Sequence, residues 1–236
     1  MALNIQTSTD FNPSAVTFSK LRKNRNGGKA VYINGLKNKK LHIQLPFMRA
    51  PFGLSSFTDE ATKRTSYSLD LSFDPADEAS DDLQKKLEQL DEVILDEVTK
   101  NSKEWLGKSY NKSVAKEALY KPLVRPGKES YPATVKVKVQ TDPGSGKFSP
   151  TAYNMQQVEI PLDSIEKGQK AMCIVDVNQI WFIDNKFGVS LRLQQVLVEP
   201  SKKLPAFAFQ GVETDTTEVD EEEEEGEEEF EEEDEA

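Results

Sequence analysis

The period of the hydrophobic pattern changes once along this chain and then changes back. That double change restricts the fold more than any other feature. Leu83, Leu87, Leu90, Ile94 and Val98 are spaced by 4, 3, 4 and 4 residues, which places them on one face of an α-helix. Ser80 is the expected N-cap, and Asp81 and Asp82 suit the positive end of the helix dipole. On both sides of this stretch the pattern alternates. Val31 with Ile33, then Leu41, Ile43 and Leu45, then Tyr67, Leu69, Leu71 and Phe73 precede the helix, and Val135, Val137 and Val139 follow it. Period two indicates strands with one buried face. Pro46 and Pro75 are expected to end their strands. Residues 171–177, 179–183 and 187–198 read as a meander, with Asp184-Asn185-Lys186 as a hairpin link, and a short helical stretch is expected over 113–119. Strands, one long helix and more strands give a mainly β fold. The expected architecture is an OB-fold-like barrel with a capping α-helix inserted at about 80–100, although periodicity alone does not separate a barrel from a sandwich.

Charge divides the chain a second way. Residues 213–236 hold 17 Asp or Glu and no Lys or Arg, which leaves 24 acids against 30 bases in residues 1–212. The formal net charge of −11 therefore averages a basic body and an acidic tail. Residues 1–50 alone carry nine bases and a single acid, Asp10. The expected domains are a flexible N-terminus over 1–14, a folded domain over 15–210 and an acidic disordered tail over 211–236. The tail cannot bury enough apolar surface to offset its ordering entropy.

The residue inventory excludes several kinds of chemistry. One cysteine, Cys173, allows no intrachain disulfide framework, and one histidine, His42, excludes the usual multi-histidine zinc sites. His42 falls on the polar-facing side of its expected strand. No window approaches the roughly 18 apolar residues of a membrane span, and Met1 to Phe11 lack the apolar core of a signal peptide. An intracellular setting without secretion is the simplest reading. Gly144-Ser145-Gly146-Lys147 lacks the glycine spacing of a P-loop. No catalytic residue, metal or cofactor is called for.

Cations and rings are what remain. Lys20, Arg22, Lys23 and Arg25 lie with Lys29 on a loop containing Gly27 and Gly28, and Lys39 and Lys40 follow. Bases without acids on a flexible loop suit phosphate contacts, against the plainer reading of a solvated hairpin. Phe47, Arg49, Phe52 and Phe57 occupy a Pro/Gly-rich segment, with Arg64 beyond it. Rings near cations are how non-specific single-strand binders hold bases and backbone; the alternative is that these rings plug the barrel. Lys136 and Lys138 share one strand face. Trp181, Lys186, Phe187 and Arg192 supply a further group, with Trp181 opposed to Ile180 and Phe182. In the tail, Phe230 between Glu229 and Glu231 can imitate a nucleic-acid strand, charge for phosphate and ring for base, or the run is a solubility element.

A series of motifs ties these features together: Lys29-Ala30-Val31-Tyr32-Ile33, Ala50-Pro51-Phe52-Gly53-Leu54-Ser55, Tyr67-Ser68-Leu69-Asp70-Leu71-Ser72-Phe73, Trp105-Leu106-Gly107, Tyr120-Lys121-Pro122-Leu123-Val124, Trp181-Phe182-Ile183 and Asn185-Lys186-Phe187-Gly188-Val189, with Leu204-Pro205-Ala206-Phe207-Ala208-Phe209. The series resembles a protein family of large nucleocytoplasmic DNA viruses of algae and protists. That family is in turn distantly similar to the single-stranded DNA-binding protein of podovirus-type phages. The resemblance covers about residues 15–210 and the acidic tail. It implies an OB-fold and non-enzymatic, largely sequence-independent coating of single-stranded DNA. The setting implied is viral DNA replication and recombination, in the host nucleus or a cytoplasmic viral replication site. It implies a tail that contacts replication partners and leaves room for a homodimer; tethered beside a basic body, the tail is expected to compete with DNA and, once displaced, to recruit a replicative DNA polymerase or helicase/primase. In the phage relatives the tail ends in an aromatic; here Phe230 is followed by six residues. The competing class is an acidic-tailed histone chaperone or other basic-protein binder, which needs no basic surface on its body.

Overall fold

The computed structural model describes residues 5–23 and 28–201, all within one compact unit. Its principal elements are β1 (Lys29–Asn34), β2 (His42–Arg49), β3 (Leu54–Thr58), β4 (Thr65–Ser72), α1 (Glu78–Lys100), β5 (Thr134–Val139), β6 (Thr151–Asn154), β7 (Lys170–Ile183) and β8 (Lys186–Val198). The fold is mainly β with one long helix.

The strand pairings return to their starting point. β2 pairs with β4, β4 with β5, β5 with β8, β8 with β7, and β7 with β2. All are antiparallel except β5 with β8, which run parallel through Val137↔Leu191 and Lys138↔Arg192. The β2–β4 junction is narrow and consists of Arg49↔Ser72. Alternation aims Ile43, Leu45, Leu69, Leu71, Val135, Val137, Val175, Val177, Leu191 and Leu193 into the interior, where each is buried. β1 lies outside this circuit against the upper half of β7, β3 against β4, and β6 against β8.

β7 is long enough to serve two neighbours. Its first half pairs with β2 and its second half with β1. Register shifts interrupt its pairing with β8 between Ile174 and Val175 and between Val177 and Gln179. Such bulges bend a strand and invert the side-chain alternation beyond them. Ala171, Cys173, Val175 and Val177 face inward before Asn178; Ile180 and Phe182 face inward after it. The hairpin to β8 turns on Asp184 and Asn185, with φ of 48° and 62°. Two successive positive φ values match the twist of a two-residue hairpin, and Lys186 already belongs to β8.

Four expectations need correction. Pro46 does not end its strand: β2 continues to Arg49, because the opposing register shift between Met172 and Ile174 removes the need for an N–H at the proline. The helix begins earlier than expected. Asp77 is its N-cap, accepting from the Ala79 and Ser80 N–H groups, while Ser80 is buried and its hydroxyl accepts from the Asp74 N–H at 2.9 Å. His42 does lie on the polar-facing side, in register with Asp176 and opposite in parity to Ile43, but it is buried rather than solvated, because Ile5 flanks it on one side and Asp176 on the other. Residues 5–14 are packed rather than free: Ile5–Thr7 forms a parallel strand beside β2, and Phe11 and Pro13 are buried.

α1 buries Leu83, Leu87, Leu90, Ile94 and Val98, the set anticipated, together with Leu95 and one acid, Asp91. Asp91 ties the helix to the chain beyond it. The Tyr120 hydroxyl donates to Asp91 Oδ1 at 2.5 Å, and the Leu123 N–H donates to Oδ2 at 3.1 Å. Burial raises its carboxyl to about 6, against the pull of hydrogen bonds from Tyr120, Leu123 and Val124. The folded state then holds the proton more tightly than the unfolded chain. This stability is full below the ordinary carboxylate range and is lost as pH rises through about 6. Asp91→Asn keeps an acceptor for Tyr120 and cannot titrate. In urea denaturation, the stability of the native protein relative to this variant should fall by roughly 2 kcal/mol between pH 4 and pH 7. A pH-independent difference would assign the titration to another group.

Candidate nucleic-acid interface

One groove collects cations and rings from both ends of the strand circuit. It has a volume of about 730 Å³ and is walled by Phe57 and Tyr67 on one side and Trp181 on the other, with Lys136, Lys138 and Arg192 between. Alternation explains the floor: with Val135, Val137 and Val139 buried, Lys136 and Lys138 must point out of β5. Lys138 is in register with Ser68 on β4 and with Arg192 on β8. The inverted alternation beyond Asn178 explains the Trp181 wall, since with Ile180 and Phe182 inside, Gln179 and Trp181 face the groove. Asn178 also holds the floor: with its amide oxygen turned to Arg192, it accepts from Nη1 at 2.6 Å and Nη2 at 2.8 Å.

The groove is electropositive and only partly compensated. Lys136 lies 3.5 Å from the Asp70 carboxylate. Partial burial, then the positive charges of Arg192, Arg125 and Lys136, hold the Lys138 ammonium below its ordinary range. Crowded like charges on a concave face favour an anionic ligand, because bound phosphates relieve the repulsion. The rings are presented differently. Phe57 is 68% exposed at the β3–β4 hairpin. Tyr67 is half-buried and braced edge-on by Phe148, centroids 5.0 Å apart. A separate cleft beside α1, about 680 Å³ in volume, is lined by three acids, Glu88, Asp91 and Glu92, against one base, Lys116, which is paired with Glu92, a poor balance for phosphate. Among the described residues, no cluster of three His, Cys, Asp or Glu could hold a metal ion. No helix there is long and apolar enough to cross a membrane. Burial pushes the Cys173 thiol up to about 12, so it is not a nucleophile at neutral pH.

The remaining residues singled out from sequence divide by position. Phe57, Lys136, Lys138, Trp181 and Arg192 share the groove. Arg22 is in register with Ala30, and Ala30 with Trp181, so Arg22 continues the same row two strands away. Its guanidinium stands 5.3 Å from the Tyr32 ring centroid. Lys20, Lys23, Arg64 and Lys186 are exposed, Arg64 on the hairpin that carries Phe57 and Lys186 beside the hairpin that carries Trp181. Lys29 is engaged with the Trp105 carbonyl at 3.2 Å. Lys39 and Lys40 are exposed after β1, away from the groove lining. Phe47 and Arg49 lie at the far end of β2, beside Lys170, and Phe52 is exposed in the turn after it. Arg25, Glu229, Phe230, Glu231 and residues 206–209 lie outside the described residues. Phe187 must be reassigned. It is fully buried, packed between Tyr120 and Phe182, and has no face for a base. Tyr67 and Arg125 were missed: Tyr67 continues the apolar alternation of β4 and reads as core, and Arg125 belongs to no basic run.

The match to a family model covers residues 68–215 and carries the description "Family of unknown function (DUF5871)". The chain belongs to that family. No curated protein is similar to it in sequence. Among solved structures, the single-stranded DNA binding protein gp2.5 encoded by bacteriophage T7 is similar over 81% of this chain and 100% of that one, at 13% identity and a TM-score of 0.47. The single-stranded DNA-binding protein from bacteriophage Enc34, solved in complex with single-stranded DNA, covers 78% of this chain and 98% of its own, at 12% identity and 0.41. Its C-terminal truncation gives 11% identity and 0.40 over 81% and 99%.

Phe187→Ala should cost about 3–5 kcal/mol of folding stability, the usual cost of deleting a buried ring. Phe57→Ala should cost less than about 0.5 kcal/mol, as for an exposed position. Chemical denaturation of the two variants checks the assignment; equal losses would contradict it.

Proposed function

We propose that this protein binds single-stranded DNA in the groove, without sequence readout and without catalysing a reaction. The observation that carries this reading is the meeting of Lys136, Lys138 and Arg192 with the rings of Phe57, Tyr67 and Trp181 on one concave face. Cations follow a phosphate backbone, and exposed rings stack on bases that are not paired. Duplex DNA offers the cations the same phosphates but hides its base faces from the rings.

The strand circuit supports an OB-fold barrel. Counted along the circuit's own strands, the groove uses the second and third (β4 and β5), the connection between first and second (which carries Phe57) and the hairpin between fourth and fifth (β7 and β8). Those are the parts of an OB-fold that bind oligonucleotides. The setting we propose is viral DNA replication and recombination, supported by the motif series of the sequence. The acidic run fits the same scheme. A tail with 17 acids and one ring, Phe230, tethered to a basic body, competes with DNA for cationic surface at an effective concentration of roughly millimolar. Displaced by DNA, it is available to a replicative polymerase or helicase/primase. The domain division at about residue 210 and a homodimer belong to the same proposal.

The experiment is anisotropy of a labelled oligonucleotide across a salt series. Single strands should bind at least about tenfold more tightly than duplex near 0.1 M salt, with a log–log slope near −0.7 per phosphate contacted. Lys136→Ala with Lys138→Ala should weaken binding and flatten that slope by about one to two contacts' worth. Equal affinity for duplex, or preferential binding to histones, would replace this reading with that of a basic-protein binder. Truncation after Gly211 should tighten single-strand binding, most at low salt, where charges act over the longest range. Unchanged affinity at every salt concentration would leave the tail as a solubility element.

A further inference from the structure

Gly188 sits directly across the β7–β8 hairpin from Trp181. It is buried, and it is not among the glycines with positive φ, so its backbone conformation is open to any residue. Space is what it supplies. A Cβ built there would meet Trp181 Cζ2 at 2.8 Å and the Lys121 carbonyl oxygen at 2.9 Å. Non-bonded carbons settle at about 3.5–4.0 Å, so a single methyl group forces the indole to move. The six-membered part of the indole therefore rests on bare strand, in the gap that the missing side chain leaves. Trp181 is half-buried for that reason: one portion is against Gly188, and the remainder lines the groove. The Asn178 bulge decides which side of β7 the indole occupies, and the bare strand at Gly188 leaves the space that part of the ring fills.

We propose that Gly188 is the positioning residue of the groove, fixing the Trp181 indole against β8 so that its free surface is a preformed platform for one unpaired base. This inference rests on the reading of the groove as a single-stranded DNA site. A preset platform spares the ordering cost that a mobile ring would incur on binding. Phe148 gives Tyr67 similar support from the opposite wall by edge-on contact, whereas Phe57 stands exposed.

The test is a set of four variants, each titrated with a labelled single-stranded oligonucleotide after its thermal midpoint confirms folding. Gly188→Ala should lose roughly tenfold in affinity, the order expected for one stacked base, and Trp181→Ala should lose about the same. The two losses should not add in Trp181→Ala/Gly188→Ala. Trp181→Phe/Gly188→Ala should bind more tightly than Gly188→Ala alone, because the smaller ring has no atom at the position of Cζ2. A purely structural glycine would not be rescued by shortening its neighbour. Native affinity in Gly188→Ala, additive losses or failure of the Phe rescue would each overturn the proposal. Gly188→Ala also crowds Lys121, so it can fail to fold. In that event the native protein decides by iodide quenching. Trp105 is in the core at 5% exposure, so the quencher reads Trp181. Saturating oligonucleotide should shield that signal at least about twofold, as a stacked face requires, and no shielding would overturn the proposal. Should the native protein bind no single-stranded DNA at all, the reading of the groove falls first and takes this inference with it.

Discussion

The irregularity at Asn178 governs most of what lies around it. β7 enters the fold with its odd-numbered residues inside and leaves with its even-numbered residues inside. A strand alternates strictly, so only an unpaired residue can make that exchange. The first half of β7 thereby closes the circuit against β2, while the second half buries Ile180 and stacks Phe182 on Phe187. The same exchange turns Gln179 and Trp181 outward. Asn178 is then free to use its side chain, and it uses it on Arg192. One local departure from regular pairing thus sets the core on one face and the groove on the other.

Electrostatics follows from this arrangement. Lys138 belongs to β5, Arg192 to β8 and Arg125 to the chain beyond α1, and no pair of them is near in sequence. The circuit brings them close enough that Lys138 feels the other charges. Such crowding costs folding free energy, which the buried strand faces and the α1 contact must offset. Asp91 shows a parallel compromise on the helix: its burial raises its carboxyl, and the hydrogen bonds from Tyr120 and Leu123 make that burial tolerable. Features that fold the chain least efficiently are concentrated where they can also act, at least in the groove.

Sequence periodicity by itself determined the broad class. The helical spacing of Leu83, Leu87, Leu90, Ile94 and Val98 and the alternation of Val135, Val137 and Val139 are local patterns, and each was reproduced because burial enforces one period at a time. For the same reason Lys136 and Lys138 were legible as neighbours on one face. Composition separated the basic body from the acidic end. Tertiary structure decided what local pattern could not. Two odd-numbered residues, Trp181 and Phe187, looked alike as rings beside cations; a bulge turned one toward the groove, and the rings of Tyr120 and Phe182 enclosed the other. Tyr67 continued an apolar alternation and packs against the core, yet it is only half-buried and also lines the groove. Phe47 and Phe57 lie ten residues apart in one segment, yet they line different clefts, since the turn after β2 carries the chain onto a different strand partner. Gly188 stood in a sequence motif without a stated role, because the space it keeps open exists only once Trp181 lies across from it.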